Sequence, residues 1–141
     1  MSIKIKNNFK YKREGRIICF QALYSYDFND KPASEIVKFD WLEEKIEPET
    51  IEYAKFLVEG CFRNLAEIDD LIIKKLRNWE FNRISAVDRA ILRFSLFSLL
   101  YEKDLDQKII INEAVEIAKE FGNEDSYKFI NGILDAIRKT K

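Results

Sequence analysis

Residues 85–101 read SAVDRAILRFSLFSLLY, and this stretch decides the fold. Ser85-Ala86-Val87-Asp88 has the S-x-x-D form of a capping box, in which each side chain bonds a backbone N–H of the other residue, so a helix is expected to open here. Val87, Ile91, Phe94, Leu96, Leu99 and Leu100 then make it apolar almost all round, with Arg89 and Arg93 as the exceptions. A helix of that kind must be enclosed by other helices, which predicts the centre of an all-α domain. The apolar run Phe94 to Tyr101 is broken by Ser95 and Ser98 and falls far short of the ~18 residues of a membrane span.

The same periodicity extends in both directions. From about Arg13 to Phe28, Cys19, Ala22, Leu23 and Tyr26 recur at three- and four-residue spacing. Asn29-Asp30-Lys31-Pro32 reads as a turn, and a short helix is expected over Ser34 to Glu44. Pro48 and Glu49 suit a helix start, and the apolar positions from Thr50 to Arg77 predict one long helix or two, broken near Asn64 or Asp69. After a loop around Asp104 to Gln107, Ile110, Ala114, Ile117, Ala118 and Phe121 form a helix that Gly122 ends as a C-cap. Phe129, Ile130, Ile133, Leu134 and Ile137 supply one face of a last helix. The 141 residues thus predict about seven helices in one all-α domain, 1–141, led by a basic arm over 1–12. Only 4 glycines and 2 prolines are present, too few for the many corners of a sandwich or barrel.

Composition excludes much chemistry. With 0 histidines, Ser-His-Asp and Cys-His nucleophiles, histidine general bases and histidine-ligated zinc are all ruled out. Cys19 and Cys61 have no CxxC spacing and sit in apolar stretches, so they read as buried small hydrophobes in a reducing cytosol. The glycines are isolated, which removes P-loop and dinucleotide-binding motifs. Glu113, Glu116 and Glu120 share a helix face that, with Lys119 close by, reads as solvated. No enzyme activity, cofactor or metal is expected. The basic first residues lack an apolar signal-peptide core, so a soluble, cytoplasmic protein is expected.

The net charge of −1 conceals a segregation: residues 1–16 carry +5, residues 17–70 carry −8 and residues 71–141 carry +2. A basic end on an otherwise acidic chain predicts an anionic partner, and nucleic acid is the commonest one. Phe9 and Tyr11 alternate with Lys10, Lys12 and Arg13, followed by Tyr24, Tyr26 and Phe28. Cations interleaved with aromatics are what single-stranded nucleic acid binds, although rings at helical spacing also serve a core. Asn112 and Asn131 place amides inside helical patterns, where bonds to a neighbouring helix would account for them.

Arg13-Glu14-Gly15-Arg16, Gln21-Ala22-Leu23-Tyr24, the stretch from Ser85 to Arg93, INEAVEIAK at 111–119 and KFINGILD at 128–135 together resemble the NusB family of bacterial transcription antitermination factors. The resemblance spans nearly the whole chain and implies two packed three-helix bundles. It further implies binding of the single-stranded boxA element of ribosomal-RNA leader transcripts, with the ribosomal protein NusE as partner in the RNA polymerase antitermination complex. No catalysis is implied. By the same likeness Arg13 and Arg16 would contact phosphate, with Lys10 and Lys12 adding charge. Tyr24 would lie along the RNA, Lys128 and Phe129 would reach the bases, and Asp88 would face NusE. Glu14 and Gly15 depart from the family pattern by lowering charge and helix propensity. A NusB-like domain of a ribosomal-RNA methyltransferase and a self-associating helical adaptor, with homodimers that hide the RNA surface, are the alternatives.

Overall fold

The computed structural model describes residues 2–29, 31–42, 45–76 and 80–140, the side chains of residues 2–9 and 29 excepted. The elements in chain order are α1 (Ser2–Asn29), α2 (Ala33–Ile36), α3 (Pro48–Arg63), α4 (Leu65–Lys75), a 3₁₀ turn (Phe81–Arg83), α5 (Ala86–Tyr101), α6 (Gln107–Phe121) and α7 (Ser126–Lys139), with no strand among the described residues. The all-α expectation holds. So does the place of α5, whose residues from Ala90 to Leu99 are all buried and which packs on α1, α3, α4, α6 and α7.

Local sequence explains the boundaries. Pro48 occupies the first turn of α3, where its missing N–H costs nothing. The break expected near Asn64 or Asp69 falls at Asn64, whose Nδ2 donates to the Gly60 carbonyl at 2.8 Å and so competes with the helix ladder. Asp106 caps α6 by accepting from the Lys108 N–H at 2.8 Å. Ser85 Oγ accepts from the Asp88 N–H at 3.1 Å, which is one half of the capping box.

Two boundaries differ from expectation. The stretch expected as an arm is helical from Ser2, continuous with the segment that carries Arg13, because no proline interrupts it. The helix expected over Ser34 to Glu44 stops at Ile36 (Glu44 and Arg77 lie outside the described residues). The cause is Phe39, which turns the chain with φ 58° and buries its ring beside Trp41, whose Nε1 donates to the Ile36 carbonyl at 3.0 Å. Gly122 caps the end of α6 as expected, with an extended φ of −93° in place of a left-handed one. Space makes glycine necessary there, because a Cβ would lie 2.5 Å from Ser126 Oγ.

A closed ion network joins α1, α4 and α5. Arg93 donates from Nε and Nη2 to the two oxygens of Asp69, each at 2.9 Å, and from Nη1 to Asp27 at 3.0 Å. Arg89 Nε donates to Asp27 at 2.8 Å while its Nη1 reaches the carbonyls of Phe81 and Ile84 at 3.1 and 3.2 Å. Both guanidinium groups stand 5.5 Å from the Phe81 ring centre. The Arg93 pKa rises: burial opposes the charge, but the bonds to Asp69 and Asp27 outweigh it. This network accounts for the two arginines of an otherwise apolar helix. Cys19 and Cys61 are fully buried free thiols, and burial raises the pKa of Cys19.

Candidate nucleic-acid interface

The basic segment of α1 runs past α6 on one flank and α3 on the other. Toward α6, Arg13 donates from Nε to Glu113 Oε1 at 3.1 Å and from Nη2 to Glu113 Oε2, while Arg16 Nη1 donates to Glu113 Oε1 at 3.0 Å. The two arginines differ in exposure: the Arg13 side chain is 41% exposed and that of Arg16 is 4% exposed. Arg16 therefore lies beneath the surface, held by Glu113 and with its guanidinium 5.7 Å from the Tyr53 ring centre, withdrawn from solvent. The family resemblance gives both arginines one role, and their exposure separates them. Bonding to Glu113 raises the Arg13 pKa and outweighs the opposing effect of burial, and the charges of Glu113, Glu116 and Glu120 add to it.

Glu113 is the residue sequence reasoning misplaced. Glu116 and Glu120 are exposed as expected, but Glu113 is buried. A signal was present: Glu113 falls three residues after Ile110 and four before Ile117, in register with the buried face of α6. A carboxylate there needs cations, and α1 brings two of them.

Beyond Arg13 further cations follow along α6 and α7, interleaved with the carboxylates of Glu116 and Glu120. Arg13 and Lys119 line one cavity of about 260 Å³ together with Glu116, Ile117 and Glu120. Lys119 Nζ stands 5.2 Å from the Tyr127 ring centre, and Lys128 Nζ stands 5.8 Å from the same ring. Arg13, Lys119, Tyr127 and Lys128 thus form one track, and Lys119 and Tyr127 are members that sequence reading did not single out. Lys119 also stands 3.8 Å from Glu116, an exposed pair of little strength. Next to Lys128 on α7, Asn131 and Gly132 are exposed, and a Cβ on Gly132 would meet nothing within 4 Å. Asn112 is exposed too, so these amides face outward and do not serve helix packing.

The remaining candidates fall into neighbouring places. Lys10 is exposed; the side chains of Lys4, Lys6 and Phe9 lie outside the described residues. Lys12 turns to the other flank, its Nζ 5.5 Å from the Tyr53 ring centre, and lines a cavity of about 390 Å³ with Phe56, Tyr101 and Glu102. Gly15 explains how α1 and α3 come so close here, since a Cβ would lie 2.8 Å from Tyr53 Cδ2. Tyr53 donates its hydroxyl to Glu102 at 2.8 Å, and burial raises its pKa. Tyr24 stacks on Phe28 with ring centres 5.1 Å apart and planes at 15°, and Phe20 continues this row to Phe121 at 5.0 Å. Phe28 is 65% exposed, so the row ends in an open ring face.

Phe129 and Asp88 line one cavity of about 310 Å³ between the first turns of α5 and α7, together with Arg83, Ile84, Ser85, Asn123, Asp125 and Ser126. Asp88 is buried and its Oδ1 has no hydrogen-bond partner among the described residues. Burial raises its pKa, while bonds from Ser126 and Ser85 pull it the other way. No group of three or more metal-ligating side chains occurs among the described residues, and none of their helices is long and apolar enough to cross a membrane.

Comparison with known proteins gives this surface a context. Residues 13–139 match the model of the NusB family. The transcription antitermination protein NusB of Treponema denticola is 42% identical over 129 residues, covering 90% of this chain and 95% of that one. A structure of T. maritima NusB superposes with a TM-score of 0.83 at 42% identity, covering 91% of this chain and 90% of the other. A crystal structure of antitermination factors NusB and NusE in complex with double-stranded RNA matches with a TM-score of 0.79 at 29% identity, covering 94% of this chain and 98% of that chain.

Proposed function

This chain belongs to the NusB family of transcription antitermination proteins, and we propose that it acts by holding a boxA-type single strand of ribosomal-RNA leader transcript beside the ribosomal protein NusE. The observation that carries the RNA part is the track Arg13–Lys119–Tyr127–Lys128, in which cations flank an aromatic face. Phosphates of a single strand would lie on the cations, and a base on or near Tyr127. Lys10 and Lys12 add long-range attraction, and Arg16 supports Arg13 from below. Tyr24 and Phe129 supply further ring surface, Phe129 from the wall of the cavity that Asp88 shares. Asp88, buried in the wall of that cavity, would meet the protein partner only through its mouth.

No bond is made or broken in this role. Its product is an assembly: the RNA strand, the ribosomal protein and RNA polymerase gathered into an antitermination complex. A relative crystallised with NusE and RNA favours this reading over a methyltransferase domain or a bare adaptor.

The test measures affinity for a boxA oligonucleotide and for a scrambled strand across a salt series, with and without NusE. Tighter binding of the boxA strand, with log K falling by ~0.7 per phosphate contact against log salt, is the expected result. Reciprocal linkage requires NusE and RNA to strengthen each other's binding by the same factor if they share one surface. Equal affinity for both strands, with and without NusE, would sink the proposal.

A further inference from the structure

We propose that Glu113 is a positioning residue for RNA binding: its buried carboxylate fixes Arg13 in one orientation at the surface, so that the guanidinium meets the strand already ordered. This inference rests on the RNA-binding reading above and adds a residue that would touch no RNA.

The asymmetry of the cluster carries the argument. A carboxylate buried on the apolar face of α6 requires a cation, and Arg16, itself 4% exposed, supplies one at 3.0 Å. Charge balance is met by that pair alone. Arg13 is surplus to it, yet it is the arginine that makes the two-point contact, through Nε and Nη2 together. A two-point contact fixes the plane of a guanidinium as a single bond cannot. The side chain so fixed is still 41% exposed, facing the cavity it shares with Lys119. Were the cluster only a tie between α1 and α6, the buried Arg16 would serve without it. Holding an arginine at the surface instead removes the ordering cost that a mobile one incurs when it binds, about 2- to 10-fold in affinity.

Glu113→Gln alone strands Arg16 as an unpaired buried charge and endangers the fold, so the test uses Arg16→Met with Glu113→Gln, which removes the buried charges in balance. Four proteins form a cycle: wild type, Arg13→Ala, the Arg16→Met/Glu113→Gln pair, and all three substitutions. Circular-dichroism melting establishes that each is folded, and fluorescence anisotropy gives affinities for a boxA strand and a scrambled one. Arg13→Ala is expected to weaken boxA binding about 10-fold in the wild-type background. With the carboxylate gone it should cost less, about 1- to 5-fold, because the arginine is no longer ordered. The Arg16→Met/Glu113→Gln pair alone should lose about 2- to 10-fold for boxA and a similar factor for the scrambled strand, because a phosphate contact carries no sequence information. Equal cost of Arg13→Ala in both backgrounds, or wild-type boxA affinity in the Arg16→Met/Glu113→Gln protein, would overturn the assignment. A wild-type protein without preference for boxA would instead overturn the RNA reading itself.

Discussion

Two clusters of arginine and carboxylate lie in this molecule, and they are built to opposite ends. Around α5, Arg89 and Arg93 meet Asp27 and Asp69, two cations with two anions, all largely withdrawn from water. Between α1 and α6, Arg13 and Arg16 share the single carboxylate of Glu113, and one arginine of the two stays at the surface. The first cluster is neutral and closed, its donors spent on Asp27, Asp69 and the carbonyls of Phe81 and Ile84. In the second, one carboxylate serves two arginines, and Arg13 stays exposed with Glu116 and Glu120 beside it. Residue type does not separate a structural arginine from one that meets a ligand. Stoichiometry and exposure do.

The largest test of this contrast is Asp27→Ala. It leaves Arg89 without its carboxylate and Arg93 with only Asp69, and the loss should approach the ~3–5 kcal/mol typical of a broken buried pair. Thermal and denaturant unfolding would register it, while the RNA salt slope of the protein that remains folded should not change. A smaller test within the same cluster is Arg89→Lys, which keeps the charge but cannot serve Asp27 and two carbonyls at once; about 1–2 kcal/mol of stability should go. Arg13→Ala is the mirror image. Glu113 keeps Arg16 as its partner, so the melting temperature should hardly move, but the slope of log K against log salt should flatten by ~0.7, one phosphate contact fewer. Stability loss with an unchanged slope would place Arg13 in the closed class.

Much of this architecture is legible in the sequence because it follows from local pattern. The central place of α5 follows from its apolar circumference, and the start of α3 from Pro48. Where reading failed, a distant partner decided the outcome. Arg16 and Glu113 stand 97 residues apart, so neither α1 nor α6 alone says that the arginine is buried or why the carboxylate points inward. Gly15 reads as a flaw in a basic helix until Tyr53 is seen against it. The end of α2 depends on Phe39 adopting a left-handed backbone to bury its ring, which no helix propensity anticipates. The candidate interface is harder to foresee than the fold for the same reason: Lys119 and Lys128 belong to different helices and meet only at the Tyr127 ring.

Asp88 gives the smallest expected effect and sharpens the contrast from the side of the acid. Asp27, Asp69 and Glu113 have arginines; Asp88 is buried with none, and its Oδ1 lacks even a hydrogen-bond partner among the described residues. Burial raises its pKa above the usual 3.8, so over the interval between that value and the folded one the native state binds more proton than the unfolded chain. Stability contributed by this group is therefore greatest in acid and falls as pH rises through that interval, the reverse of a salt-bridged carboxylate. Asp88→Asn keeps the size of the side chain and the backbone N–H that Ser85 Oγ accepts, and it does not titrate. The variant should melt higher than wild type at pH 7, and its advantage should vanish on acidification below the ordinary carboxylate range. A wild type more stable than the variant at pH 7 would mean that a negative charge in the first turn of α5, favoured by the helix dipole, outweighs the cost of burying it without a cation.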